Sequence, residues 1–230
     1  MESIVMVPGL GSDAAVWQPT IAELAPDAEC LVGDTLSDHS LPAMAARILS
    51  DAPPRFALAG VSMGGMVALE IMRVAPGRVT KLLLCDTNAR PETAEQTARR
   101  RTTNAAMLGA ADLAALAAPG IAYMIHPATD QSVREALTQM TVRVGVNAYV
   151  RQNEAVIARG DLRPILASIS VPTMVVVGAN DLMTPVIFSQ EISDGIQGAT
   201  LHIIPDCGHL PPIEKPRAVA ALMREGLRKA

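Results

Sequence analysis

The stretch LAGVSMGGMVALEIM, running from Leu58 to Met72, decides how this chain folds. It sets one serine, Ser62, between Gly60 and Gly64, after an apolar run over 56–59 and before Met66, Val67, Leu69 and Met72 at helical spacing. The helical pattern stops at Pro76-Gly77. A strand that turns sharply into a helix tolerates little bulk beside the turn and leaves the serine exposed at the sheet edge. There it sits at a helix N-terminus, whose unpaired N–H groups favour negative charge developing next to it. A Gly-x-Ser-x-Gly match alone means little, since about one chain in ten to fifteen of this length contains one by chance. Its surroundings carry the reading, against the plainer one in which the glycines only let a strand and a helix pack closely.

Outward from this turn, short apolar runs at 4–7, 30–32, 79–85, 173–177 and 200–204 read as buried strands. Helical patterns lie between most of them, the clearest being Leu41, Met44, Ala45, Ile48 and Leu49 before Pro53-Pro54. Alternating strands and helices predict a mostly parallel sheet with helices on both faces. The alternation breaks over 90–164, where alanine- and arginine-containing segments show helical spacing and no convincing strand. That block is expected to be a helical insertion in a core formed by 1–89 and 165–230. Pro91, Pro119-Gly120 and His126-Pro127 are expected to separate its helices, and Pro164 and Pro172 to mark the return to the sheet.

Composition narrows the function classes. The 230 residues suit one domain with a sizeable core, 18% are charged, and the formal net charge is −4. Lys and Arg are dispersed apart from Arg99-Arg100-Arg101, so a nucleic-acid partner is not expected. No apolar run approaches the roughly 18 residues of a spanning helix, and no basic leader precedes the first strand, so neither membrane nor export is expected. Cys30, Cys85 and Cys207 are odd in number and lack a CxxC pair, which disfavours a disulfide framework and a zinc site and fits a cytoplasmic protein.

A serine hydroxyl needs a base, and the base needs a group to orient it. Of the four histidines, His39 follows GDTLSD, His126 precedes a proline and His202 alternates within a strand; each reads as a packing or hydrogen-bonding residue. His209, in IIPDCGHLPPIEKP, occupies a loop after a strand that can project an imidazole. VVVGANDLMTP supplies Asp181 after another strand, in the chain order Ser62, Asp181, His209. Asp86 in LLLCDTN and Asp34 also follow strands and compete for the acid's place; element order favours Asp181. For a tetrahedral oxyanion, backbone N–H groups are expected from Met63, directly after the serine, and from Leu10 in VPGLGS, where Gly9 lets the chain bend.

The elbow GVSMGG, the acid loop GANDLMTP and the histidine loop CGHLPPIEKP together resemble the α/β-hydrolase superfamily, in its cofactor-free serine esterase and lactonase branch, and the likeness runs over essentially the whole chain. The resemblance implies an α/β-hydrolase fold with a short helical cap over 90–164. It implies hydrolysis of a small carboxylic ester or lactone through an acyl-enzyme, with Ser62, Asp181 and His209 catalytic, Leu10 and Met63 as oxyanion donors, and no metal or organic cofactor. Members usually carry His-Gly in the oxyanion loop, where this chain has Pro8-Gly9. The first strand begins at Ile4, a short start that also resembles small methylesterases and hydroxynitrile lyases. A lyase, a C–C bond hydrolase or a ligand receptor on the same fold therefore stands as the alternative. Within the insertion, Arg99, Arg100, Arg101, Arg143 and Arg151 are candidates to receive a substrate carboxylate, although helix-surface charges are the ordinary reading.

A dinucleotide-binding reading competes, since VPGLGSDA follows a strand in a loose G-x-G-x-x-A pattern and Asp34 follows about 20 residues later. Pro19 falls where the phosphate-binding helix would have to run, which weakens it.

Overall fold

The structure is a computed structural model that describes residues 2–25 and 27–228. Strand β1 (Glu2–Val7) leads through a single 3-10 turn (Ala14–Val16) to α1 (Gln18–Leu24), β2 (Ala28–Val32), α2 (Leu41–Asp51) and β3 (Phe56–Val61). Next come α3 (Met63–Val74), β4 (Val79–Cys85), α4 (Ala94–Leu108), α5 (Leu113–Met124), α6 (Gln131–Ile157) and α7 (Arg163–Leu166). The chain closes with β5 (Thr173–Gly178), α8 (Val186–Gly195), β6 (Thr200–Ile204), α9 (Pro211–Glu214) and α10 (Pro216–Arg228). The six strands form one sheet in the order β2-β1-β3-β4-β5-β6, and every pairing is parallel.

Because side chains alternate along a strand, neighbouring residues feed opposite faces of this sheet. Val5, Val7, Leu58, Leu82, Leu84 and Val175 join the core under α2, α3 and α8. Ile4, Met6, Ala57, Ala59, Leu83 and Val176 join the core on the other face, with Trp17, Leu210 and Val219. All six residues of β3 are buried, which explains why it reads as a continuous apolar run rather than an alternating one. The amphipathic stripe of α2 buries Leu41, Met44, Ala45 and Ile48, and Ser40 caps it by accepting the Ala43 N–H at 3.3 Å.

Topology then decides where a site can form. The chain leaves β1 for one edge of the sheet and returns to start β3 on the other side of β1, so the loops after these two strands part and leave a crevice at their carboxyl ends. Pro8–Ser12 and Ser62 face each other across it, and the loops after β4, β5 and β6 border the same end.

Between β4 and β5 the described residues contain helices and loops only. Pro91 lies in the loop before α4 and His126-Pro127 separates α5 from α6. Pro119-Gly120 does not separate helices; Pro119 lies inside α5. Asp112 caps this helix by accepting the Ala115 N–H at 3.1 Å, the tract is rich in alanine, and Ala115, whose carbonyl the missing N–H leaves free, is exposed to water. The interruption that the sequence does not signal is at Gly145, whose φ of 73° and ψ of 163° break α6.

Candidate active site

Ser62 stands between β3 and α3 with φ of 55° and ψ of −119°, a conformation that L residues rarely adopt. The backbone around it is fixed from several sides. The Ser62 N–H donates to the Cys85 carbonyl at 2.9 Å, and the Ser62 carbonyl accepts the Thr87 hydroxyl at 2.7 Å. Glycine is required on both flanks. A Cβ at Gly60 would lie 2.3 Å from the Gly64 carbonyl oxygen, and one at Gly64 would lie 2.1 Å from the Val7 carbonyl oxygen. Helix and strand thus approach more closely than any side chain allows.

Opposite the serine, the loop after β6 presents His209, which is buried. Its Nε2 lies 2.8 Å from Ser62 Oγ and its Nδ1 lies 2.8 Å from Asp181 Oδ2. An ionised aspartate only accepts, so Nδ1 carries a proton and donates it to Asp181, leaving Nε2 to accept the serine hydroxyl. Asp181 in turn accepts N–H groups of Met183 at 2.7 Å and Thr184 at 3.0 Å on Oδ1, and the Thr184 hydroxyl at 2.6 Å on Oδ2. Burial by itself would raise the Asp181 carboxyl, but interaction with His209 and the Thr184 hydrogen bond hold it well below the usual carboxylate range.

The competing acids part company here. Asp34 turns its carboxylate back on its own loop, taking the Leu36 N–H at 2.7 Å and the Ser37 hydroxyl at 2.5 Å. Asp86 is fully buried with φ of 44°, its Oδ1 accepting the Gly178 N–H at 2.9 Å. Burial, and then Asp181 beside it, push the Asp86 carboxyl well above its ordinary value. Asp86 is thus driven toward its neutral, protonated form beside Asp181, with its Oδ2 buried and without a hydrogen-bond partner among the described residues.

Two further residues that the sequence does not signal hold the loops. Glu214 accepts the N–H groups of Gly208 and Leu210 on either side of His209, and also the His126 N–H and Thr129 hydroxyl. It ties the histidine loop to the junction of α5 and α6. Gln152, on α6, accepts the Gly11 N–H at 2.8 Å and so fixes the loop after β1. A capping pattern or a motif cannot point to either residue, because their partners are more than eighty positions away or are backbone groups.

Leu10 and Met63 line the same cavity as Ser62 and His209. Met63 opens α3, where the first N–H groups have no acceptor within the helix, and Gly9 packs against Ser62, where a Cβ would lie 3.3 Å from the serine Cβ. The cavity has a volume of about 490 Å³, within the range of small-molecule sites. The other histidines lie elsewhere: His39 is exposed, His126 Nδ1 accepts the Ala128 N–H, and His202 pairs with Thr200 on β6.

Asp86, Asp181 and His209 place potential ligand atoms within 4.8 Å of one another. The carboxylate oxygens of Asp181 are already taken by four hydrogen-bond donors and the Asp86 carboxyl is driven toward its neutral form, so the trio fits a hydrogen-bonded cluster better than a cation site. The dinucleotide reading fails on geometry. The loop after β1 enters a single 3-10 turn rather than a phosphate-facing helix, and Gln152 occupies the Gly11 N–H. Among the described residues, no helix is long and apolar enough to cross a membrane.

Comparison with known proteins agrees with this fold. A family model described as "Alpha/beta hydrolase family" matches residues 4–222. The pimeloyl-[acyl-carrier protein] methyl ester esterase of Neisseria meningitidis is 28% identical over 229 residues, covering 97% of this chain and 81% of that protein. The 3-oxoadipate enol-lactonase 1 of Acinetobacter baylyi is 26% identical over 226 residues, covering 93% of this chain and 84% of that protein. A thermophilic esterase from Thermogutta terrifontis superimposes with a TM-score of 0.88 at 26% identity, over 100% of this chain and 90% of its own.

Proposed function

The chain belongs to the alpha/beta hydrolase family, and from that premise we propose that it hydrolyses small carboxylic esters or lactones through an acyl-enzyme on Ser62. The observation that carries the reading is the 2.8 Å approach of Ser62 Oγ to His209 Nε2, at a strained turn opening into the cavity. The esterase and enol-lactonase activities named for relatives that align along most of their length support the same class.

The mechanism follows from the donors and acceptors. His209 Nε2 takes the Ser62 proton as Oγ attacks the carbonyl carbon, and Asp181 stabilises the imidazolium that forms. The N–H groups of Leu10 and Met63 receive the oxyanion. As the tetrahedral intermediate collapses, His209 returns the proton to the departing alkoxide, or to the ring oxygen of a lactone. Water then attacks the acyl-serine with His209 again as base, releasing the acid and restoring the hydroxyl. Residues 90–164 act as the cap, supplying the cavity wall opposite the sheet. The free thiols of Cys30, Cys85 and Cys207 suit a reducing, cytoplasmic setting.

Steady-state hydrolysis of an ester and lactone panel, with Ser62→Ala beside the native protein, tests the reading. Native turnover that falls by about 10⁴ or more in kcat in the variant is expected. Near-normal turnover in Ser62→Ala removes the serine from the mechanism. Single-turnover acylation without release points to a receptor, and release of an aldehyde or ketone without consumption of water points to a lyase.

A further inference from the structure

The cavity wall holds one fixed charge. Of the five arginines between β4 and β5 that could meet a substrate, Arg99 pairs with Glu95 on the surface, Arg101 is exposed, Arg143 pairs with Asp13, and Arg151 donates to the Leu36 carbonyl. Arg100 alone lines the cavity, and no Asp or Glu does. Its guanidinium is held in place: Nε donates to Glu92 Oε1 at 2.9 Å and Nη1 donates to Asn153 Oδ1 at 2.8 Å. Asn153 is oriented by donating to the Arg100 carbonyl and to Asn104 Oδ1. Nη2 makes no hydrogen bond among the described residues.

The charge at this point is unbalanced. Glu92, whose side chain is only 2% exposed, also pairs with Arg159, which is equally buried, so two guanidinium groups share one carboxylate. The next carboxylate in the network, Glu154, accepts from Asn104 and from neither arginine. One positive charge is left over, and Arg100, which shares it with Arg159, lines the cavity.

Nearby donors fit the same picture. Thr102, Thr103 and Thr141 on the wall spend their hydroxyl protons on helix carbonyls one turn back. Tyr149 also lines the wall, and its hydroxyl donates to nothing among the described residues. Burial pushes the Tyr149 phenol above its ordinary value while the charge of Arg100 pulls the other way, which puts the two side chains within electrostatic reach. Otherwise the wall is apolar, with Met66, Met107, Ile121, Met124 and Leu137 among its residues.

Resting on the hydrolase reading of Ser62, we propose that Arg100 Nη2, with the Tyr149 hydroxyl, forms a subsite for a carboxylate on the substrate, separated by an apolar stem from the ester or lactone carbonyl at Ser62. A single surplus charge matches a monoanion, and a planar guanidinium pinned at two nitrogens reads carboxylate geometry at low entropic cost. The substrate class is thus a half-ester of a short dicarboxylic acid, or a lactone with a pendant carboxylate.

Two measurements test this. The first compares kcat/KM for monomethyl esters of the dicarboxylic acids from succinic to suberic with methyl esters of monocarboxylic acids of equal length. At the best length the native protein is expected to favour the anionic ester. The anionic-over-neutral ratio is expected to fall at least about tenfold in Arg100→Gln, through KM, with partial recovery in Arg100→Lys. Tyr149→Phe lowers it less. A native preference for neutral esters, with a ratio unchanged in Arg100→Gln, overturns the subsite while leaving the hydrolase reading in place. The second is calorimetric binding of free dicarboxylates against matched monocarboxylates to the Ser62→Ala protein, which needs no turnover. Tighter binding of the dicarboxylate that disappears when Arg100→Gln is added supports the subsite even if neither ester series is hydrolysed, and equal binding overturns it.

Discussion

The sheet end around Ser62 and the helical wall opposite it solve the same problem, placing side chains around one cavity, by different means. At the sheet end backbone groups take part in most of the placing. Ser62 is locked by its N–H on Cys85 and its carbonyl on Thr87, Asp86 by the Gly178 N–H, and the loop crossings are so close that Gly60, Gly64 and Gly178 have no room for a Cβ. Across the cavity, side chains hold side chains: Arg100, Glu92 and Arg159 in one cluster, Asn104, Asn153 and Glu154 in another, Gln152 reaching to Gly11. Backbone placement survives substitution of neighbouring side chains, whereas a side-chain network is rewritten by changing two or three residues. Under the proposed mechanism, bond breaking belongs to the sheet end and substrate choice to the wall.

The sharpest way to break this contrast lies within the sheet end. Asp181→Asn should lower kcat by about 10⁴, because the amide favours the wrong imidazole tautomer. Asp86→Asn should lower it by less than about tenfold, since the neutral amide keeps an oxygen for the Gly178 N–H and, like the protonated carboxyl, brings no second charge beside Asp181. Side-by-side kinetics decide, and the reverse ranking would move the acid to Asp86.

Stability separates the two regions next. Gly60→Ala forces a Cβ to within 2.3 Å of a backbone oxygen, whereas nothing lies within 4 Å of a Cβ built at Gly120 in α5. Denaturant unfolding should show a loss of more than about 3 kcal/mol for the first. For the second it should show a gain of about 0.5–1 kcal/mol, because alanine is the better helix former. Similar small effects at both positions would mean that the sheet end is looser than its packing implies.

The smallest effect concerns pH. Asp86 stays protonated in the fold at a pH where the unfolded chain, with an ordinary carboxyl near about 3.9, has ionised. The native state then binds more protons than the unfolded one, so this group costs stability as pH rises above that value. Asp86→Asn removes the cost. Its stability relative to the native protein should climb between about pH 4 and pH 7 and show no gain below that window. A flat difference would mean that Asp86 titrates normally.

Much of this arrangement is legible in the sequence where signals are local. The six apolar runs become the six strands, the glycines around Ser62 announce a close crossing, and the loops carrying Asp181 and His209 follow strands as expected. What stays hidden depends on distant partners. That Asp86 lies behind Asp181 follows from the adjacency of β4 and β5, which no local pattern encodes. Glu214 reads as an ordinary charge in a proline-rich turn, yet it braces both sides of His209. Arg100 cannot be told from Arg99 and Arg101 until α4 is packed on α6 and one of three consecutive arginines turns inward. Pro119 misleads for the opposite reason, because an exposed carbonyl in an alanine-rich helix tolerates the lost hydrogen bond.

The central claim, that Ser62 is a nucleophile activated by His209, is tested most directly by covalent labelling with diethyl p-nitrophenyl phosphate, in which a serine–phosphorus bond forms and p-nitrophenolate leaves. Intact and peptide mass spectrometry should find one diethylphosphoryl group, located on Ser62, absent from Ser62→Ala and formed far more slowly in His209→Ala. An unlabelled native protein, or label on another residue, would contradict the claim.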